Sequence, residues 1–278
     1  MCDKHLEPYQ REAATWRLRL NRTDILIGDW SASYFSCICC PPLLKTLNPD
    51  IKIIVMLRDP VDRALSRFVE QKRVPNGPFR KQVENSTFAE WAATELVSLR
   101  DCISRAERFR GPAPAGAGPF TGWGAGWTLG EWMEAQCLAR SNLLGWSAYS
   151  VFLGNWLAHI PPERLLVLYT VDLSADPLAV LRRVEAFLGV RQHTYDPQRL
   201  GLVFNARDCY NWRCSKPQKE VGPVDKADGA AAGGHEGPFK QAHAELVRFF
   251  RPYMQRLFSW ADEGKIAQVP PAWRTTYA

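Results

Sequence analysis

An arginine and a serine carry the clearest chemical signal in this sequence. In the stretch IKIIVMLRDPVDRALSRF, Ile51 to Phe68, an apolar run ends at Arg58 and a helical pattern begins at once. A guanidinium is a rigid fork of donors that matches phosphate oxygens. Ser66 stands about two turns into the helix, roughly 10 Å from its start at 1.5 Å per residue. A hydroxyl at that depth is not an anion ligand of the helix terminus. It meets a phosphate only if the phosphate lies along the helix flank, where Arg58 also reaches. The competing reading pairs Arg58 with a nearby acid and makes Ser66 a surface hydroxyl. Arg63 and Arg67 lie four residues apart on one helix face and could reach the same anion, although solvated helix arginines are commoner. Asp29 is a strand-end acid that either orients a reacting group or pairs with an arginine. His5, His159, His193, His235 and His243 lie in no catalytic setting, and surface roles are expected for them.

These residues need elements to hold them. IKIIVML is continuous and β-branched, as expected of a strand covered on both faces. Asp59 caps the helix after it, Pro60 takes its first position, and Val61, Ala64, Leu65 and Phe68 form one apolar face. DILIGDW is a shorter strand candidate. Thr87 to about Arg108 reads as an amphipathic helix. Gly111 to Gly130 is a Gly/Pro/Ala-rich loop with Trp123 and Trp127, which could line a cleft. Helical periodicity returns over Glu131 to His159, and Leu165 to Tyr169 is a second buried strand. The next helix has Asp176 as cap, Pro177 at its first position and Gly189 as C-cap. Val221 to Pro238 is a second low-complexity loop. Ala242 to Trp260 is helical, with Pro252 kinking or restarting it. Strand, helix, helix, strand, helix is an α/β order: a parallel sheet with helices on both faces, binding ligands at the carboxyl ends of its strands. Arg58 stands at such an end.

With 278 residues and 46% hydrophobic content, the chain can bury the core of one large domain. Its net charge of +6 fits an anionic small molecule or an acidic polymer and is too small to argue for nucleic acid. No apolar run reaches the roughly 18 residues a membrane span needs, and the mixed, charged start is no signal peptide. Eight cysteines are present. The CICC run at Cys37, Cys39 and Cys40 lacks the partner cluster of a zinc site. Cys209 and Cys214 could close a small loop. Sequons at Asn21 and Asn85 agree with a secretory lumen.

The segment RDPVDRALSRF resembles the 3′-phosphate-binding motif of the sulfotransferases that use 3′-phosphoadenylyl sulfate (PAPS). The resemblance maps Arg58 and Ser66 onto that phosphate. GDWSASYF resembles the Glu-Lys-Ser/Thr-Pro-x-Tyr-Phe segment of the carbohydrate (heparan-type) branch, retaining Ser31, Tyr34 and Phe35. It departs at Trp30, where that branch has a lysine near the reacting sulfate, and at Ala32, where it has proline. The stretch from Ser147 to Val190 looks like the family's long helix, strand and Asp-Pro helix. FNARDCYNWRC resembles the segment that carries a cysteine pair and leads to a basic loop over the cofactor. Arg213, Lys216 and Lys219 would supply that loop, although the usual Lys-Gly-Arg order is absent.

The resemblance spans about Asp24 to Trp260. It implies one sulfotransferase-like α/β domain over 1–278, with inserted loops at about 111–130 and 221–238. It implies sulfuryl transfer from PAPS, without a metal, to a hydroxyl of a carbohydrate, in the Golgi lumen; the cytoplasm is the second choice. The family's 5′-phosphosulfate loop, a strand, a lysine-bearing loop and a helix, is not found before Asp24, and the acceptor's base usually lies there too. The expectation is an amino-terminal truncation, with any membrane anchor upstream, or a natural short form. Two alternatives stand beside the enzyme: a non-catalytic protein that binds adenosine 3′,5′-bisphosphate, and an acidic-glycan-binding module or kinase relative without that nucleotide.

Overall fold

A carboxylate and a proline start the helix that matters most. The Asp59 carboxylate accepts from the backbone N–H groups of Val61 and Asp62, at 2.9 and 3.1 Å, and Pro60 is the first helical residue. The computed structural model describes residues 15, 19, 21, 26–74, 76–111, 126–204, 215–217 and 236–278. In chain order these form α1 (Ser33–Ser36), α2 (Cys40–Leu47), β1 (Ile53–Leu57), α3 (Pro60–Arg73), α4 (Arg80–Val83), α5 (Phe88–Glu107), α6 (Leu129–Arg140) and α7 (Tyr149–His159). Then follow β2 (Leu165–Tyr169), α8 (Thr170–Ala175), α9 (Pro177–Leu188), α10 (Pro197–Leu200), β3 (Leu202–Phe204), β4 (Ser215–Pro217), α11 (Glu236–Asp262) and α12 (Pro271–Thr276).

β1 and β2 pair in parallel, from Ile53 opposite Leu165 to Leu57 opposite Tyr169. A parallel pair needs a crossover, here the helices α3 to α7. One face of the pair, with Val55, Leu57, Leu165, Val167 and Tyr169, is buried in the main core beneath helical side chains such as Val61, Phe68, Phe152 and Leu257. The other face departs from expectation. Leu168 is buried there, but Ile54 and Met56 are 41% and 40% exposed. α8 and α9 lie against β2 rather than over β1, so the apolar run in β1 is covered on one face only. β3 and β4 form a separate antiparallel pair.

The local signals for helix ends hold. Thr87 and Thr128 each make a reciprocal capping box, with Glu90 and Glu131. Asp176 caps α9, and Gly189 ends it at φ +74°, the left-handed geometry that glycine tolerates. α6 begins at Leu129 and α11 at Glu236, inside the two stretches read as loops. Positions 112–125 and 221–235 lie outside the described residues. α11 continues through Pro252 without a break. The strand expected in DILIGDW does not form over Leu26–Trp30: Leu26 is 64% exposed, and among the described residues no partner edge completes the backbone hydrogen bonds of the stretch. Asp24 and Ile25 lie outside the described residues.

Between described residues, the disulfides Cys37–Cys40 and Cys102–Cys137 are formed. The sulfurs of Cys37, Cys39 and Cys40 converge within 4.8 Å, a tighter group than the sequence suggested, but the Cys37–Cys40 bond takes up two of them and Cys39 is disulfide-bonded as well, so none is a thiolate ligand. Cys209 and Cys214 are not among the described residues.

Candidate functional site

Arg58 and Asp59 form the short link between β1 and α3, and a tyrosine hydroxyl reaches each of them. Tyr149, the first residue of α7, donates to the Arg58 carbonyl at 2.8 Å. Tyr277, just past α12, donates to the Asp59 carboxylate, 3.1 Å from each oxygen. Both tyrosines are buried, which pushes both phenols well above the usual tyrosine range. Burial also raises the Asp59 carboxyl above its ordinary value, and the N–H groups of Asp62 and Val61 and the Tyr277 hydroxyl hold it back.

Past this link the side chains are differently employed. Arg58 is half-buried, and its guanidinium has no hydrogen-bond partner and no acid beside it among the described residues. Ser66 is half-buried too, and its hydroxyl likewise has no partner among them. Among the described residues no acid pairs with Arg58. Asp59, Arg63, Ser66 and Glu70 recur at spacings of four, three and four, which puts them on one stripe of α3. That stripe begins beside Arg58.

Arg63 is not the solvated helix arginine expected from sequence. It donates to the carbonyls of Leu143 and Asn142 at 3.3 and 3.2 Å and to the Ser147 hydroxyl at 3.1 Å. It also lies 5.9 Å from the Trp146 ring centroid. Burial lowers its pKa from the ordinary arginine value, and the charges of Arg67 and Arg58 push the same way. Arg67 donates to the Asn142 side-chain oxygen at 3.1 Å and pairs with Glu70 at 2.6 Å. The two arginines clasp the 142–147 turn because α3 packs beneath it, and the turn's carbonyls need donors. Three guanidinium groups thus share this flank. Glu70 answers Arg67, neutral oxygens satisfy Arg63, and Arg58 pairs with no acid among the described residues.

The clasped turn has little spare room. A Cβ on Gly145 would collide with the backbone carbonyl of Leu138. Gly145→Ala is expected to cost about 2 kcal/mol, since backbone rather than a flexible side chain must yield. Urea denaturation of the variant checks this.

α7 links the arginine to the second resembling segment. Phe35 packs edge-on against Tyr149 and Phe152, at 6.1 and 5.9 Å between ring centroids. The Trp156 indole N–H donates to the Phe35 carbonyl at 3.1 Å, and Asn155 donates to the Ile38 carbonyl at 2.7 Å. Asp29 is exposed and accepts from the Tyr34 hydroxyl at 2.8 Å, so its observed partner is a tyrosine rather than an arginine. Trp30, where the carbohydrate branch has lysine, is 81% exposed. The hydroxyls of Ser31 and Ser33 lie 2.9 Å apart.

Other expected site residues fall elsewhere. Arg213, Lys219, Trp123, His5 and His235 lie outside the described residues. Lys216 sits in β4 opposite Val203. Trp127 is half-buried in the turn before α6. His159 ends α7 about 15 Å along the helix from Tyr149. The His193 ring meets Tyr195, and the His243 ring lies 6.5 Å from Phe239. Sequence reasoning missed Tyr149 and Tyr277 as parts of this site and did not foresee that Arg63 would be held by the 142–147 turn. For Tyr149 the signal was its place at the head of a helix resembling the family's. Tyr277 has no local signal.

Comparison with known proteins points the same way. The sequence pattern described as "Sulfotransferase domain" matches residues 40–206, more than half the chain, including Arg58, Ser66 and Tyr149. The mouse protein "Bifunctional heparan sulfate N-deacetylase/N-sulfotransferase 4" is 28% identical over 251 residues, covering 86% of this chain and 24% of that protein. Human "Heparan sulfate glucosamine 3-O-sulfotransferase 6" is 26% identical over 259 residues, covering 92% of this chain and 61% of its own length. The chain thus spans about a quarter of the first relative and under two thirds of the second. The crystal structure of a sulfotransferase from Alicyclobacillus acidocaldarius superimposes with a TM-score of 0.50 at 20% identity, covering 95% of this chain and 74% of that one, which supports the α/β fold. The chain belongs to the sulfotransferase domain family.

Proposed function

We propose that this chain takes part in transferring a sulfuryl group from PAPS to a hydroxyl of a carbohydrate, and that Arg58 and Ser66 hold the 3′-phosphate of the nucleotide. One observation carries the reading. At the carboxyl end of a parallel strand, Arg58 and, on the helix that follows, Ser66 have no hydrogen-bond or ion-pair partner among the described residues, and Arg63 adds a second cation beside them. This donor set fits a phosphate: a fork for two oxygens, a hydroxyl for a third, and positive potential behind them. In the transfer the acceptor oxygen bonds to sulfur, the sulfur–phosphate oxygen bond breaks, the hydroxyl proton leaves, and adenosine 3′,5′-bisphosphate departs. The chain's own part in that step is to anchor and orient the nucleotide. Asp29, held by Tyr34, is the acid that could orient an acceptor group. Arg213, Lys216 and Lys219 are proposed as the basic loop over the cofactor.

The relatives' names include heparan sulfate, and a sulfated-glycan precursor is the acceptor class we propose. Residues 1–278 are read as one sulfotransferase-like domain. A secretory lumen is the proposed location, supported by two disulfides and by the exposed Asn85 of a sequon. No helix among the described residues is long and apolar enough to cross a membrane.

Calorimetry with adenosine 3′,5′-bisphosphate and with AMP tests the site. The bisphosphate is expected to bind roughly 100-fold or more tightly, the combined contribution of the charge-assisted contacts to its 3′-phosphate. Equal affinities, or no binding to the folded chain, would sink the assignment. Incubation with sulfate-labelled PAPS and a glucosamine-containing glycan then separates a transferase, which labels the glycan, from a nucleotide-binding protein, which does not.

A further inference from the structure

We propose that Tyr277 is a positioning residue of the 3′-phosphate site, acting through Asp59 on the start of α3 and hence on Arg58 and Ser66. The inference rests on the reading of Arg58 and Ser66 as that site.

The stretch from Gly264 to Tyr277 lies across the carboxyl ends of both parallel strands. At β2, the Tyr169 hydroxyl donates to the Ala267 carbonyl at 2.8 Å, and the Trp273 ring meets the Tyr169 ring edge-on at 5.2 Å. At β1, Tyr277 reaches Asp59, 218 positions earlier in the chain. Its side chain is fully buried and its hydroxyl lies 3.1 Å from both carboxylate oxygens. A buried phenol needs a partner, and a buried carboxylate needs donors, so the contact answers two demands at once.

Asp59 is at a sensitive position. It is the residue after Arg58 and the N-cap of α3, holding the Val61 and Asp62 N–H groups. Without the Tyr277 hydroxyl, the carboxylate keeps those two N–H groups and loses its third donor. It then satisfies itself by taking a proton or by turning towards water, and either change loosens the cap. The cap sets the direction in which Arg58 leaves the strand and the rotation of the stripe carrying Ser66. On the other side, Tyr149 holds the Arg58 carbonyl. The link is thus fixed by two hydroxyls, one from the middle of the sequence and one from its far carboxyl-terminal stretch, and only the first belongs to the crossover that the strand pair itself requires.

The test is the ratio of affinities for adenosine 3′,5′-bisphosphate and AMP, which reports on the 3′-phosphate alone and which general loosening does not move. Tyr277→Phe in the full chain is expected to weaken bisphosphate binding about fivefold, less than the full worth of a hydrogen bond to a charged group because the effect reaches the phosphate only through Asp59, and to leave AMP binding unchanged. Arg274→Ala is the control. Arg274 lies on the same helix, pairs with Asp262 and covers the Phe258 ring, so its loss loosens α12 without touching Asp59. Its ratio is expected to match that of the unaltered chain. Asp59→Asn tests the same link should Tyr277→Phe fold poorly, and it is expected to lower the ratio as well; the double variant should be no worse than the worse single one. A ratio unchanged in Tyr277→Phe and in Asp59→Asn, or lowered equally by Arg274→Ala, overturns the inference while the phosphate site stands. No preference for the bisphosphate in the unaltered chain overturns the site, and the inference with it.

Discussion

Arg58→Ala is expected to weaken adenosine 3′,5′-bisphosphate binding about 100-fold while leaving thermal stability unchanged or slightly raised. The two halves of this expectation have one cause. The guanidinium has no hydrogen-bond or ion-pair partner among the described residues, so its removal breaks no such contact with them. It also relieves Arg63, whose buried charge is pushed down by that of Arg58. Bound to a phosphate, the same group makes charge-assisted bonds that together come to about 3 kcal/mol, and each 1.4 kcal/mol is tenfold in affinity. Arg58→Lys keeps the charge and loses the fork, so it should fall between, roughly tenfold weaker than the unaltered chain. Calorimetric titration beside thermal melting reads both quantities. A large loss of stability in Arg58→Ala with unchanged affinity would mean that the arginine serves the fold.

The second large effect concerns the Cys102–Cys137 disulfide, which ties α5 to α6 across a sequence separation of 35. In the chain-entropy model, closing a loop of that length removes enough freedom from the unfolded state to stabilise the fold by roughly 3–4 kcal/mol. Replacing both cysteines by serine is therefore expected to lower the melting temperature by roughly 5–10 °C in a chain of this size. Differential scanning calorimetry measures it. The preference for the bisphosphate over AMP should survive, because neither helix contributes a residue to the Arg58 link. The Cys37–Cys40 bridge spans a separation of only 3, so its removal should cost less.

Local signals in the sequence were read accurately where the structure depends on neighbours a few residues apart. Asp59 with Pro60, Thr87 at the head of α5, and Asp176 with Pro177 and Gly189 all mark helix ends through bonds within one turn. The placement of Arg58 and Ser66 was legible for a related reason: both belong to one strand–helix unit. What was not legible depends on distant chain. Whether Leu26 and Ile27 form a strand is decided by an available edge, and their own types do not encode one. Ile54 and Met56 read as buried because they are apolar, yet the helices that reach the sheet on that face lie over β2. Arg63 looked solvated because nothing near it shows that the 142–147 turn will fold onto α3. Tyr277 meets Asp59 across almost the whole chain, beyond the reach of any periodicity.

α7 sends three donors to three places: Tyr149 to the Arg58 carbonyl, Trp156 to the Phe35 carbonyl and Asn155 to the Ile38 carbonyl. Each added or deleted residue within a helix rotates everything beyond it by about 100°. A length change between Tyr149 and Asn155 would therefore separate the arginine link from the 35–38 segment, whatever residue was inserted. Insertions of natural or engineered origin should be sought elsewhere, in the stretch between α5 and α6 and in the one that precedes α11, where added length leaves all three bonds in register.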